Sequence, residues 1–136
     1  MHKTFLETGK TVLIQTRNKL TQSRLRVLEL LWNAKTPVSP YDIQKLDPEL
    51  DVVSVYRAFE LFESLWLIHK VWSLGGYVTC HLDHCDSHCC HEFQVCKSCK
   101  SFTEVHGHHK HNGWSEKFML QQHISEQLGL CENCSK

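Results

Sequence analysis

Residues 51 to 80 read DVVSVYRAFELFESLWLIHKVWSLGGYVTC, and this stretch decides the fold of the first half of the chain. Asp51 is a good helix cap, and Val55, Phe59 and Phe62 recur at helical spacing, which predicts an amphipathic helix with one buried stripe. Two short β-forming runs follow, LIHKVW and YVTC, and the glycines between them permit a tight turn. The stretch therefore predicts a helix followed by a β-hairpin.

Two further helices are predicted before this stretch. Thr21 is placed to cap the first of them. Its apolar stripe comprises Leu25, Leu28, and Leu31 or Trp32. The segment PVSPYDIQKLDP, at residues 37 to 48, predicts a second, short helix whose Ile43 and Leu46 face inward. Its capping and stop signals are, in order, Ser39, Pro40, Asp42 and Pro48.

Three helices and a hairpin predict a winged helix-turn-helix, in which the third helix enters the major groove of DNA and the hairpin lies along the backbone. The outward face of the third helix carries Val53, Ser54, Tyr56, Arg57 and Glu60. The first 26 residues hold six basic side chains and a single acidic one, which suits a phosphate backbone. The predicted DNA contacts are Ser54, Tyr56, Arg57, Lys19 and Arg24. One reading helix covers few base pairs, so DNA binding predicts a dimer; a similar bundle could also be an interaction module.

The composition of the chain changes abruptly near its middle. All eight cysteines and nine of the eleven histidines lie between Cys80 and Cys134. We therefore expect a DNA-binding domain at residues 1–79, a linker at 80–92 and a dimerisation domain at 93–136. No apolar run approaches the roughly 18 residues of a membrane span, which favours a cytoplasmic protein. In a reducing cytosol, clustered cysteines are expected to bind metal rather than to form disulfides.

Two CxxC pairs, VCKSC and LCENC, predict a structural zinc site. Four thiolates close a tetrahedron without leaving an open position. The predicted ligands are Cys96, Cys99, Cys131 and Cys134. Around them, EFQVC and KSFTEV alternate like antiparallel strands, and KFML and HISEQLGL are interpreted as another pair. A short helix around Trp114 is also predicted. The fold class is therefore α+β: an N-terminal winged helix-turn-helix and a small zinc-stapled α/β dimerisation domain.

The motifs LTQSRLRVLELL, VVSVYRAFELF, GYVTCHL, VCKSC and GLCENC together resemble the ferric uptake regulator family of bacterial metal-responsive repressors. The resemblance extends from Leu20 to Cys134. It implies an N-terminal winged helix, a C-terminal dimerisation domain, and a structural zinc on the two cysteine pairs. Within the family, the sequence is most similar to the zinc uptake regulator branch, because residues of the same types occupy the positions of its sensing ligands.

The resemblance implies that a second, regulatory zinc is bound by His69, Cys80, His88 and Glu104. The linker is one residue longer than the pattern of that branch, so Cys89 or His91 could take the place of His88. Two imidazoles, one thiolate and one carboxylate suit four-coordinate zinc better than octahedral iron or manganese.

A third metal site is also implied by the resemblance. Its candidate ligands are Cys90, Glu92, His123 and His111. The histidine-rich segment from His106 to His111 is equally well interpreted as a polar surface loop. No role is assigned to Cys85 or to its neighbour His84.

These observations predict a repressor of metal-uptake genes that binds palindromic operators as a zinc-loaded homodimer, with no small-molecule substrate. Iron or peroxide sensing within the same family is the alternative. From other classes, a zinc buffer or chaperone would bind more ions and ignore DNA, and a zinc hydrolase would need an open water position on the metal. Glu104 is expected to complete the coordination, so we predict that the protein is not an enzyme.

Overall fold

The computed structural model describes residues 5–80, 90–106, 117–118 and 123–136 of the 136-residue chain. The chain splits into two compact units, Met1–Cys80 and His81–Lys136. The predicted linker at 80–92 lies mostly outside the described residues. Within the described part, no helix is long and apolar enough to span a membrane.

The first unit is a winged helix with four helices in its described part, rather than the three that were predicted. Its elements are α1 (Phe5–Gln15), α2 (Gln22–Asn33), α3 (Pro40–Leu46), α4 (Val52–Ser64), β1 (Ile68–Val71) and β2 (Gly76–Thr79). The additional helix is α1, which the sequence suggested only as a basic arm. Leu13 of α1 is fully buried, and Gly9 allows a close approach to Leu28, where a Cβ would lie 2.9 Å from the leucine Cδ1.

The predicted helix caps are confirmed. The side chain of Thr21 accepts the backbone N–H of Arg24, and that of Asp51 accepts the N–H of Ser54. Ser39 and Asp42 form a reciprocal capping box. The first turn of a helix leaves its backbone N–H groups without a partner inside the helix, and these side chains accept them. Each cap therefore depends only on two residues three positions apart.

Two predictions about the core need correction. Leu46 is 59% exposed, because the seven-residue α3 buries Pro40 and Ile43 instead. Leu25 is only half-buried, because α2 buries Val27 together with Leu28 and Leu31. Of the two alternatives that end this stripe, Leu31 is buried and Trp32 is 44% exposed. The core of this unit contains Leu13, Val27, Leu28, Leu31, Val38, Ile43, Leu50, Val55, Ala58, Phe59, Phe62, Leu67 and Ile68. The predicted stripe of the third helix in the sequence, now α4, is confirmed.

The predicted hairpin is confirmed as an antiparallel pair of strands, in which Ile68 lies opposite Thr79. Gly75 has a φ of +67°, a backbone conformation that glycine adopts without strain. Gly76 is needed for a different reason, since a Cβ there would lie 2.7 Å from the backbone nitrogen of Val38. That contact allows Val38 and Tyr77 to exchange backbone hydrogen bonds of 3.0 and 2.8 Å. The hairpin is thus attached to the loop between α2 and α3.

The described part of the second unit contains a mixed sheet of three strands, whereas four strands in two pairs were predicted. Its strands are β3 (Cys90–Cys96), β4 (Phe102–His106) and β5 (His123–Gly129), in the order β4-β3-β5. The antiparallel pairing of β3 with β4 is confirmed. HISEQLGL forms β5, which runs parallel to β3. Of its predicted partner KFML, Lys117 and Phe118 lie in no strand, and the other two residues lie outside the described residues. The predicted helix around Trp114 lies outside the described residues.

Candidate metal centres and DNA-binding face

The four predicted structural ligands lie where the ends of two parallel strands meet. The backbone N–H of Lys97, just after β3, donates to the carbonyl of Gly129 at the end of β5, at 2.9 Å. In the first CxxC turn, Lys100 donates its N–H to the carbonyl of Cys96 at 3.0 Å and has a φ of 64°. In the second turn, Cys134 donates to the carbonyl of Cys131 at 3.1 Å. Both turns therefore direct their cysteines to one place.

The distances between these sulfur atoms fit a zinc ion. The Sγ atoms of Cys96, Cys99, Cys131 and Cys134 all lie within 4.8 Å of one another. The Sγ atoms of Cys99 and Cys131 are 3.8 Å apart. A tetrahedron with Zn–S bonds of about 2.3 Å has sulfur atoms roughly 3.8 Å apart. The cluster therefore has the size and the donor chemistry of a closed structural zinc site.

Hydrogen bonds within the cluster shift the pKa of three of these thiols in different directions. Hydrogen bonds from the backbone of Cys131 and then of Cys99 lower the pKa of Cys96 to about 6. The side chain of Ser101 lowers the pKa of Cys99. The side chain of Cys131, by contrast, raises the pKa of Cys134 to about 12. Four adjacent thiolates repel one another, and a bound divalent cation removes this obstacle because coordination deprotonates the thiols.

Two of the predicted regulatory ligands lie together in the first unit. His69 belongs to β1 and is 1% exposed. Cys80 directly follows β2, and its backbone N–H donates to the carbonyl of Leu67 at 2.9 Å. The potential ligand atoms of His69 and Cys80 lie within 4.8 Å of each other. The two strands of the hairpin thus present an imidazole and a thiol that could bind the same ion.

The predicted ligand Glu104 has a histidine neighbour in the second unit. Nδ1 of His91, on β3, lies 2.8 Å from Oε1 of Glu104, on β4. Their side chains are 0% and 2% exposed. Nδ1 of His91 and Oε1 of Glu104 are close enough to serve as two ligands of one metal ion. His88 lies outside the described residues, and so does Cys89; His91 is the alternative that the extra linker residue left open.

The candidate third site remains a prediction. Cys90 lies opposite His123 in the register of β3 and β5, and Glu92 lies opposite Ser125. The hydroxyl of Ser125 donates to Oε1 of Glu92 at 3.4 Å. His111 lies outside the described residues, as does most of the histidine-rich segment.

The exposed face of α4 carries three of the five predicted DNA contacts, Ser54, Tyr56 and Arg57. Tyr56 and Arg57 are both exposed, and among the described residues Arg57 forms none of the ion pairs. The hydroxyl of Ser54 donates to Asp51 at 3.2 Å, so it takes part in the helix cap. Sequence reasoning missed Tyr41 of α3, which is 57% exposed and packs edge-on against Tyr56 with ring centroids 5.6 Å apart.

The basic N-terminal residues divide into two groups. Lys19 is exposed, and Nη1 of Arg24 donates to its carbonyl oxygen at 2.7 Å, so these two predicted contacts lie side by side. Arg26 instead binds Asp47 at 2.9 Å and Glu29 at 3.3 Å. Its charge is thus partly neutralised within the unit, and the predicted phosphate contacts of Lys19 and Arg24 remain predictions.

Comparison with known proteins identifies the family. The family model described as "Ferric uptake regulator family" matches residues 15–130. The chain belongs to the ferric uptake regulator family. Its winged helix, cysteine cluster and mixed sheet are therefore features of a family of regulators rather than of enzymes.

Among ferric uptake regulator family proteins, the chain is similar to several zinc regulators. It is 29% identical to the "Zinc uptake regulation protein" of Escherichia coli (strain K12), over 95% of this chain and 80% of that protein. A solved structure titled "Zinc Uptake Regulator Complexed With Zinc AND DNA" is 25% identical, with a TM-score of 0.78, covering 98% of this chain and 97% of the other. The "Crystal structure of holo XcZur" has the same identity and TM-score, with 96% of each chain covered.

Proposed function

We propose that this protein is a zinc-responsive transcriptional repressor, which binds palindromic operators of metal-uptake genes in the cytoplasm as a zinc-loaded homodimer. The similarity to zinc uptake regulators, including one bound to zinc and DNA, supports this proposal. Residues 1–79 would then bind DNA, residues 80–92 would link the domains, and residues 93–136 would form the dimer. Iron or peroxide sensing is the competing function within the family.

We assign a structural zinc to Cys96, Cys99, Cys131 and Cys134. The sulfur spacing of a zinc tetrahedron supports this assignment. Zinc binding of this kind contributes on the order of 10 kcal/mol to the folding of a small domain. These cysteines would therefore hold the second unit together whether or not the regulatory site is loaded.

We assign the regulatory zinc to His69, Cys80, His91 and Glu104, with His91 in the place first given to His88. The observation that carries the assignment is the buried hydrogen bond between His91 and Glu104. Neighbouring strands hold this imidazole and this carboxylate close together, so the pair would supply half of a tetrahedral site. The complete donor set is two nitrogens, one sulfur and one oxygen, which favours zinc over iron or manganese.

The regulatory ligands come from both units, which suggests how metal could control DNA binding. When bound, zinc would supply one coordination centre shared by the hairpin and the sheet. His69 and Cys80 would orient the winged helix, while His91 and Glu104 would hold the dimerisation domain. A shift from 1% to 99% of a DNA-binding conformation requires about 5.5 kcal/mol of differential binding. A mixed tetrahedral zinc site can provide that free energy.

In the DNA-binding conformation, α4 of each subunit would enter the major groove of one half-site. Arg57 could form a bidentate hydrogen bond with guanine, and Tyr56 would lie beside it. Lys19 and Arg24 would bind phosphates and set the position of the helix, without adding sequence information.

The test is metal-dependent binding to an operator obtained by selection from random duplexes with the full-length protein. We expect a shift with zinc and reversal by a chelator that removes the regulatory ion. A stronger response to iron or manganese would contradict zinc sensing and favour the alternative within the family. Binding that ignores every metal would contradict metal control altogether, and binding of several further zinc ions without DNA affinity would indicate a zinc buffer.

A further inference from the structure

An apolar side chain lies on the outward face of α4. Val53 is 50% exposed. The buried residues of the same helix are Val55, Ala58, Phe59 and Phe62. With about 100° of rotation per residue, Val53 lies roughly 160° around the helix axis from Val55, on the side that faces away from the core. Its two methyl groups therefore contribute little to the packing of the first unit.

The position of Val53 within the helix makes its residue type unusual. Asp51 is the N-cap, so Val53 occupies the second position of the first turn. The first turn of a helix favours acidic residues, and a β-branched side chain has a lower helix propensity than alanine. Neither the helix nor the core therefore requires a valine at this position.

Val53 belongs to the same surface as the proposed guanine contact. Residues four apart on a helix have Cβ atoms about 5–6 Å apart, so Val53 lies one turn before Arg57 on the same side. Base pairs of a DNA duplex follow one another about every 3.4 Å. With the guanidinium group of Arg57 on a guanine, the methyl groups of Val53 would lie over a base pair about one or two steps away.

The chemistry of the major groove restricts the base that fits beside Val53. Guanine, adenine and cytosine present hydrogen-bond donors or acceptors at this edge, and only thymine adds an apolar group, its C5-methyl. The side chain of Val53 has no donor or acceptor, so it would leave the polar groups of another base without a partner. Contact between the valine and thymine methyl groups instead removes apolar surface from water on both sides.

We propose that Val53 recognises the C5-methyl group of a thymine in each operator half-site, within about two base pairs of the guanine bound by Arg57. This inference rests on the proposed function, because it requires α4 to enter the major groove. It adds a sequence requirement to that function, and it assigns this requirement to a side chain that forms no hydrogen bond with DNA.

The experiment is a double-mutant cycle between the full-length protein and the methyl group of the base. Val53→Ala removes the two valine methyl groups and should not impair folding, because alanine is the better helix former. On the DNA, each thymine of the selected operator is replaced in turn by deoxyuridine, which lacks only the C5-methyl group. Fluorescence anisotropy with saturating zinc measures the affinities.

Two further variants complete the set. Ile14→Ala, which shortens an exposed side chain of α1, is the matched control. Val53→Thr keeps the shape of valine and one methyl group, so it serves if thermal unfolding shows that Val53→Ala is destabilised. The guanine bound by Arg57 is identified as the one whose replacement weakens binding of the wild type but not of Arg57→Ala.

We expect one thymine in each half-site to respond. Its replacement by deoxyuridine should weaken binding of the wild type about fourfold per half-site, which is the factor typical of burying one methyl group, and about 15-fold in both half-sites together. The same replacement should change the affinity of Val53→Ala by less than about twofold, and that of Val53→Thr by less than that of the wild type. Ile14→Ala should behave as the wild type on both duplexes.

Deoxyuridine replacements that weaken the wild type and Val53→Ala equally, or that weaken neither protein, would overturn the inference while leaving the proposed function intact. Selected half-sites without a thymine within about two base pairs of the guanine would also overturn it. A wild-type protein that binds no duplex even with zinc would overturn the proposed function, and the inference with it.

Discussion

His91 and Glu104 are joined by a buried contact of 2.8 Å between Nδ1 and Oε1, across neighbouring antiparallel strands. The two residues are 13 apart in the chain, and the register of β3 and β4 brings them together. Two potential ligands that neighbouring strands hold this close need little rearrangement to bind one ion. This contact therefore supplies the sharpest test of the regulatory site.

His91→Ala should lower zinc affinity at the regulatory site by at least about tenfold, because it removes one of the four proposed ligands. Competition with a chromophoric chelator measures the affinity. His88→Ala is the matched control and should leave it unchanged. If His88→Ala lowered the zinc affinity and His91→Ala did not, the ligand would be His88 rather than His91.

Cys80→Ser should remove the thiolate from the regulatory site and abolish zinc-dependent operator binding. The cysteine cluster is separate, so the variant should keep its structural zinc and its far-ultraviolet circular dichroism. Metal analysis should show the loss of one zinc per chain. Full zinc-dependent binding by this variant would show that Cys80 is not a ligand of the regulatory ion.

Cys96→Ser should unfold the second unit, because structural zinc provides on the order of 10 kcal/mol of its folding free energy. Size-exclusion chromatography should then show the loss of the dimer, and circular dichroism a loss of sheet signal. Cys85→Ser is the control, since that cysteine is assigned to no site. A folded, dimeric Cys96→Ser protein would contradict the structural role of the cluster.

Arg57→Ala should weaken operator binding by about 1–3 kcal/mol without changing the zinc content. Anisotropy titrations at one fixed salt concentration measure the effect. Lys35→Ala, which removes an exposed basic residue after α2, is the control for a general loss of positive charge. Equal affinities for Arg57→Ala and the wild type would remove Arg57 from the DNA-reading face.

Gly76→Ala should destabilise the first unit by about 1–3 kcal/mol, since the new Cβ would lie 2.7 Å from the backbone of both Pro37 and Val38. Urea unfolding followed by tryptophan fluorescence measures the change. Gly129→Ala is the control, because no atom lies within 4 Å of a Cβ placed there. Equal urea midpoints for the two variants would show that the hairpin can move away from the Val38 loop without loss of stability.

The sequence predicted helix caps and cysteine turns correctly, because residues close together in the chain form each of these features by themselves. The capping groups of Thr21, Ser39 and Asp51 act on N–H groups three residues away, so a short window contains the whole interaction. The CxxC pairs are local in the same sense, because each turn brings two thiols together by itself.

The features that the sequence left open depend on contacts between distant segments. Helix α1 is packed by Gly9 against Leu28, and the exposure of Leu46 follows from how α3 meets the core. The parallel pairing of β5 with β3 requires a long crossover, which strand periodicity does not reveal.

The sequence by itself determined the winged helix, the metal chemistry and the family, because helix caps, apolar spacing and metal-ligand types are each specified by residues close together in the chain. Only the tertiary structure decided that His91 contacts Glu104 and that β5 runs parallel to β3. Strand register and side-chain burial are set by the packing of whole elements, and residue types alone do not specify them.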